Sequence, residues 1–230
     1  NITLPDGSIR KAEDSATAMD VARDISEGLA RNVLAAEVDG EVRDAQRPLG
    51  GDVALKLLTW GDDDAASTMW HSGAHLMAEA LEVLYPGVKF WVGPSVEGGF
   101  YYDVELPEGK TLSGEDLERI EARMSEIVEA DQAFVRHELA ASEAAAFFAH
   151  EPYKAEIIER VVSGAASGED AGEISGGDAI SYYSNGIVGE EGAFRDMCTG
   201  PHVPSTGRLA HFKLQSVAGA YWRGDVTRPM

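Results

Sequence analysis

Two Asp-Gly dipeptides, Asp6-Gly7 and Asp39-Gly40, constrain the fold of the first sixty residues more than any other feature of the chain. A two-residue reversal between antiparallel strands needs positive φ at its centre. Asp tolerates that conformation and Gly adopts it freely, so each dipeptide, flanked by apolar residues, predicts a β-hairpin. The stretch "ITLPDGSIRKA" reads as strand, turn and strand, and "VLAAEVDGEVRDA" repeats the pattern. Between them "SATAMDVARDIS" reads as a helix, and "DVALKLLTW" closes the segment as a further strand. Two hairpins with a helix between them predict a compact α+β sheet with the helix packed across it. The acidic run Asp62-Asp63-Asp64 then reads as a linker, which divides the chain into domains at residues 1–62 and 63–230.

Beyond the linker, Ser67 is the expected N-cap of a helix that ends before Pro86-Gly87. Strands are expected in "VKFWVG" and "GGFYYDVEL", the second alternating Phe100, Tyr102 and Val104 against Tyr101 and Asp103. A long helix opens with a capping box from Ser113 to Asp116 and carries the stripe Leu117, Ile120, Met124, Ile127 and Val128. "AFVRHEL" reads as strand, and "SEAAAFFAH" and "PYKAEIIERVV" as helices. "AISYYSN" resumes as strand after a Gly-, Ser- and acid-rich loop from about Ser163 to Asp178. This mixture predicts a second, larger α+β domain.

A chain of 230 residues accommodates two such domains. No apolar run approaches the ~20 residues of a membrane span, and the opening "NITLPDGSIRKAED" has no hydrophobic signal region. A cytoplasmic protein without a membrane partner is expected. Asn1 in place of an initiator methionine suggests trimming. Forty acidic against nineteen basic residues give a net charge of -21, which disfavours nucleic acid unless positive charge is concentrated locally. It is concentrated toward the C-terminus, where Arg195, Arg208, Lys213, Arg223 and Arg228 face only Asp196 and Asp225. The acid excess lies on solvated helices and loops, a pattern for which a high-salt habitat is one explanation.

Chemistry is concentrated in two short motifs. In "HSGAHLMAEAL", His71 and His75 stand four residues apart and share one helical face. Ser72, Gly73 and Ala74 fill the gap, so the glutamate base of an H-E-x-x-H metalloprotease is lacking. In "RDMCTGPHVPS", Cys198 and His202 repeat the spacing across a Gly200-Pro201 turn. Cys198 is the only cysteine, which excludes an intramolecular disulfide and leaves its thiol as core filler, ligand or reactive group. Together the four residues are material for either a zinc site or a hydrolytic pocket.

The stretches "HSGAHLMAEAL", "GPSVEGGFYYDVEL", "RDMCTGPHVPSTG" and "HFKLQSVAGAYWRGD" together resemble the editing domain of bacterial threonyl-tRNA synthetases. The first sixty residues resemble the TGS domain that precedes it in that family. The resemblance implies a small β-grasp-like domain followed by a larger mixed sheet-and-helix editing domain. It also implies that the class II catalytic core is missing, and with it the ATP and Mg chemistry and the dimer contacts of a full-length homodimer. The implied activity is hydrolysis of serine from mischarged Ser-tRNA(Thr), with the tRNA(Thr) acceptor end and its seryl adenosine as the partner.

By the same resemblance, His71, His75, Cys198 and His202 match the family's pocket histidines and cysteine. Lys154, in "EPYKAEI", matches its functional lysine, and Asp196 its pocket aspartate. Tyr102 and Asp103 lie in the substrate-lining "GGFYYD" segment. Ester hydrolysis needs a positioned water, a proton acceptor and donors for the oxyanion. His71, with an ordinary pKa near 6.5, is the expected base and Lys154 the expected cation. Tyr102 reads either as a core aromatic or as a ring that stacks on or hydrogen-bonds to the terminal adenosine. No cofactor is required on this reading. The alternatives put zinc on His71, His75, Cys198 and His202, either in a tRNA-binding module without catalysis or as in the zinc-dependent editing domains of alanyl-tRNA synthetases. A regulatory interaction protein built on the TGS unit is a further alternative.

Overall fold

The computed structural model describes residues 1–163, 179–186, 193–219 and 221. The acid-rich loop beyond Ser163, part of "AGAYWRGD", and Arg223, Asp225 and Arg228 lie outside the described residues.

The first unit follows the order its turns dictate. Strands β1 (Ile2–Thr3) and β2 (Ile9–Arg10) form the first hairpin; helices α1 (Ala18–Ile25) and α2 (Glu27–Ala30) follow. Then come β3 (Val33–Val38), β4 (Glu41–Arg43) and β5 (Val53–Thr59). Gly7 at φ 81° and Asp39-Gly40 at 52° and 83° occupy the positive-φ turns that the sequence predicts. The sheet order is β2-β1-β5-β3-β4, with β1 and β5 parallel and the other pairs antiparallel. Thr17 and Asp20 close a capping box on α1, whose Met19 and Ala22 pack with Ile2, Val33, Ala36, Val38 and Leu55 on one face of the sheet.

The other face is also covered, which corrects the reading of Asp62–Asp64 as a linker. Helix α3 (Asp63–Leu84) begins directly after Asp62, not at Ser67. The Asp62 carboxylate accepts the Thr59 N–H at 2.9 Å and pairs with Lys56 at 2.9 Å, tying the turn to β5. Asp63 and Asp64 occupy the first turn, where they oppose the positive end of the helix dipole. Leu34, Ala35 and Leu58 of the sheet then join Ala65, Leu76 and Leu81 of α3 in one core. Each leucine removed from water there contributes about 1.5–3 kcal/mol before entropic costs, so β3, buried on both faces, fastens the first sheet to the rest.

The expected strands after α3 are shorter than predicted. "VKFWVG" holds β6 (Lys89–Phe90), and Ser95–Val96 forms β7. "GGFYYDVEL" is split into β8 (Gly99–Phe100), paired with β7, and β9 (Val104–Glu105), paired with β6. One continuous strand cannot serve both partners, and the interruption carries Tyr102 into the core. Helix α4 (Gly114–Glu129) has the predicted Ser113–Asp116 capping box, and Ile120, Met124 and Ile127 of its stripe are buried. Strand β10 (Phe134–Ala140), helices α5 (Ala141–Phe147) and α6 (Pro152–Val162), and strands β11 (Ala179–Asn185) and β12 (Phe194–Met197) complete the fold. Strands β10, β11 and β12 make an antiparallel sheet, backed by Phe148, Ile157 and Ile158. The architecture is α+β throughout. No helix among the described residues is long and apolar enough to cross a membrane.

Candidate active site

The helical spacing of His71 and His75 puts both on the side of α3 that meets the loop after β12. Their rings lie edge to face with centroids 5.2 Å apart. That loop carries Cys198 and His202 to them: Cys198 Sγ is 3.2 Å from His202 Nε2 and 3.5 Å from His71 Nε2, and the His202 ring lies 4.2 Å from that of His75. Gly200 makes the approach possible. Its φ of 76° suits glycine, and a Cβ there would collide with the Tyr183 hydroxyl.

The residues between the two histidines have structural uses that the sequence motif conceals. Ser72 is fully buried, faces His202 Nδ1 at 3.0 Å and accepts the Val203 N–H at 3.0 Å, so it stitches α3 to the loop. A Cβ on Gly73 would come within 2.7 Å of the Phe100 ring.

A second layer lies behind the histidines. Lys154, from α6, is 1% exposed and places Nζ 3.0 Å from Asp196 Oδ1. The same ammonium is 3.4 Å from the Tyr102 hydroxyl and from the Met197 carbonyl. Tyr102 donates a short hydrogen bond to Asp196 Oδ2, and His75 Nε2 faces that oxygen at 3.5 Å. Burial alone would raise the Asp196 carboxyl, but the Lys154 charge, His75 and the hydrogen bonds from Tyr102 and Lys154 outweigh it and hold the carboxyl below the ordinary range.

On the imidazoles desolvation wins instead. Burial drives His71 down to about 4 and His75 to about 3 against the opposing pull of Asp196, and it lowers His202 as well. The neutral form of His71 expected at pH 7 is thus favoured further, and His75 and His202 are neutral with it. Of the two readings of Tyr102, the core aromatic fits the geometry: its ring is buried edge-on against Phe90 at 5.5 Å and its hydroxyl is engaged with Asp196. Asp103 is half-buried beside it, held by backbone hydrogen bonds with Trp91 and Val92.

The donor atoms of His71, His75, Cys198 and His202 all lie within 4.8 Å of one another. Zinc binds such N and S donors at about 2.0–2.3 Å in a tetrahedron, and neutral imidazoles are the form it requires. His75 offers a more specific sign. Among the described residues its buried Nδ1 has no hydrogen-bond partner while Nε2 faces Asp196, the arrangement in which a carboxylate orients a ring and leaves the other nitrogen for a ligand. The cluster is thus able to coordinate a metal such as zinc.

Two clefts open beside the cluster. One of about 160 Å³ is lined by His71, Thr68, Ser67, Ser95, Val42 and Pro201. A larger one of about 520 Å³, between the first sheet and the loop, is lined in part by Arg43, Asp44, Arg47, Arg136, Thr199 and Pro201. Sequence reasoning missed Asp44, Ser72 and Tyr183. Each acts through a partner more than a hundred residues away, and no local motif marks them.

Residues 1–59 match the TGS domain family, and residues 181–230 match the threonyl and alanyl tRNA synthetase second additional domain. Among curated relatives, the threonine–tRNA ligase of Cytophaga hutchinsonii is 47% identical over 97% of this chain and 32% of its own length. That of Porphyromonas gingivalis is 42% identical over 99% of this chain and 32% of its own. That of Acetivibrio thermocellus is 42% identical over 100% and 33%. The chain spans about a third of the length of these relatives.

Proposed function

We propose that this chain, which matches the TGS and second additional domains and is similar to about a third of the length of threonine–tRNA ligases, is the proofreading module of such an enzyme. It removes serine from mischarged Ser-tRNA(Thr) by attack of water on the aminoacyl ester. One observation carries the reading: His71, the half-buried member of the cluster, lines a small cleft, with the buried Lys154–Asp196 pair behind it. At about 160 Å³ the cleft is well below the ~300–1,000 Å³ of drug-sized ligand sites, which suits a side chain as small as serine.

The neutral His71 ring accepts a hydrogen bond from water and aims it at the ester carbonyl. The water oxygen bonds to that carbon, the bond to the ribose oxygen breaks, and the proton passes by way of His71 to the leaving ribose oxygen. Lys154 supplies positive charge beside the developing oxyanion. Direct contact would exchange one of its 3.4 Å partners for the substrate oxygen. The unpartnered His75 Nδ1 accepts the serine hydroxyl, and the extra methyl of threonine is excluded sterically. Serine is favoured over alanine because only its hydroxyl gives that buried nitrogen a partner. Cys198 shapes the pocket.

The larger cleft is charge-balanced, Arg43 pairing with Glu41 and Arg136 with Glu138 beside Arg47 and Asp44, so phosphates of the tRNA acceptor end docking there would have to displace these carboxylates. Such a module works in the cytoplasm, where aminoacyl-tRNA is made.

Incubation of the chain with Ser-tRNA(Thr) and Thr-tRNA(Thr) at equal concentration tests the reading. Serine release much faster than threonine release is expected, and equal rates refute it.

A second reading is favoured by the orphaned His75 nitrogen: zinc held by His71, His75, Cys198 and His202, supplying Lewis-acid chemistry or structural support. We expect turnover to survive chelation, because an aminoacyl ester is already activated. Stoichiometric zinc whose removal abolishes turnover, with restoration on adding it back, establishes the second reading instead.

A further inference from the structure

We infer that Asp44, from the N-terminal sheet, is a positioning residue for the editing site: it holds the Cys198–His202 loop in register with the histidines of α3. Its role in turnover rests on the function proposed above; its role in holding the loop does not. Asp44 follows β4 and reaches across to the second unit with both carboxylate oxygens. Oδ1 accepts the His202 backbone N–H at 2.7 Å, and Oδ2 accepts the Tyr183 hydroxyl at 2.7 Å.

Tyr183 is 1% exposed, and its hydroxyl sits where a Cβ on Gly200 would lie, so one carboxylate fixes the loop at its turn and at its histidine. Ser72 of α3 meets the same loop from the opposite side, through His202 Nδ1 and the Val203 N–H. The His202 ring is further sandwiched by Phe134, stacked at 4.8 Å, and Tyr183, edge-on at 4.4 Å. The clamp therefore draws on three parts of the molecule: the first sheet, α3 and the β10–β11 layer.

A carboxylate accepting a backbone N–H is a charge-assisted bond, roughly twice as strong as a neutral one. Its loss frees a loop that carries two cluster residues, and a displacement of about 1 Å in a catalytic constellation can cost on the order of a hundredfold in rate. The first unit is on this view part of the site, not an appendage to it.

The test uses the whole chain with Asp44→Ala, Asp44→Asn and Arg208→Ala. Asparagine can still accept from the His202 N–H and donate to the Tyr183 hydroxyl. Arg208→Ala is the control for general loosening, since it removes another contact between the two units, from Arg208 Nη2 to the Ala30 carbonyl at 3.2 Å. With Ser-tRNA(Thr), Asp44→Ala is expected to lower kcat by about ten- to a hundredfold with KM nearly unchanged. Asp44→Asn should recover most of that loss, and Arg208→Ala should keep wild-type kcat.

Independently of activity, the His202 amide resonance should shift upfield in Asp44→Ala and stay in place in Arg208→Ala. Wild-type kcat in Asp44→Ala, an equal loss in Arg208→Ala, or an unmoved His202 amide overturns the inference. If the wild-type chain releases no serine, the proposed function fails, and the amide shift alone decides whether Asp44 holds the loop.

Discussion

Lys154 and Asp196 form an ion pair, 3.0 Å from Nζ to Oδ1, with side chains only 1% and 4% exposed. Two charges so far from water are tolerated only because each satisfies the other and because the Tyr102 hydroxyl and the Met197 carbonyl take part. Breaking such a pair on one side leaves an uncompensated buried charge. Lys154→Ala is expected to destabilise the fold by about 3–5 kcal/mol, in addition to slowing serine release. The double variant Lys154→Met, Asp196→Asn should cost less than the two single variants added together. Urea unfolding of the three variants checks this; strict additivity would mean that the pair is not coupled.

His71 differs from its neighbours in being only half-buried. Its replacement by alanine should leave the midpoint of thermal unfolding within a few degrees of wild type while reducing serine release by roughly a hundredfold or more, the usual contribution of a positioned acid–base group. Binding of uncharged tRNA should persist. Near-normal single-turnover rates in the folded variant would remove His71 from the mechanism.

Gly93 packs so closely against Tyr102 that a Cβ would overlap the phenol ring. Gly93→Ala should push that ring off the Asp196 carboxylate at a cost of about 1–3 kcal/mol, typical of overpacking. Tyr102→Phe keeps the ring and loses only the hydroxyl. Both variants are expected to slow serine release, Tyr102→Phe with less loss of stability, as read by parallel melting curves and deacylation assays.

Glu79 lies one turn beyond His75 on α3, 6% exposed, and burial raises its carboxyl above the ordinary 4.5 despite hydrogen bonds from Asn185 and Gln132. In the folded chain it therefore keeps its proton to higher pH than in the unfolded chain. Where the native state binds more protons, stability falls as pH rises, here from 4.5 up through the raised folded value. Glu79→Gln should match wild type at about pH 4 and exceed it in unfolding free energy near pH 8. Parallel pH profiles of the two proteins would show that Glu79 is ionised in the fold.

Some of this molecule is written in short stretches of its chain. The Asp39-Gly40 hairpin, the Ser113–Asp116 capping box and the shared face of His71 and His75 depend on φ preferences and periodicity spanning a few residues. They were legible for that reason. The pairing of H-x-x-x-H with C-x-x-x-H could be suspected from residue types, although nothing local brings Cys198 within 3.5 Å of His71.

Tertiary structure decided the rest. Asp62–Asp64 resembles a linker until β5 and α3 meet there, and the loop's hold on Asp44 arises only when the first sheet packs against the second unit. The protonation of His71, His75 and His202 is likewise set by desolvation. Desolvation depends on what surrounds a side chain in space, and neighbours along the chain do not specify it.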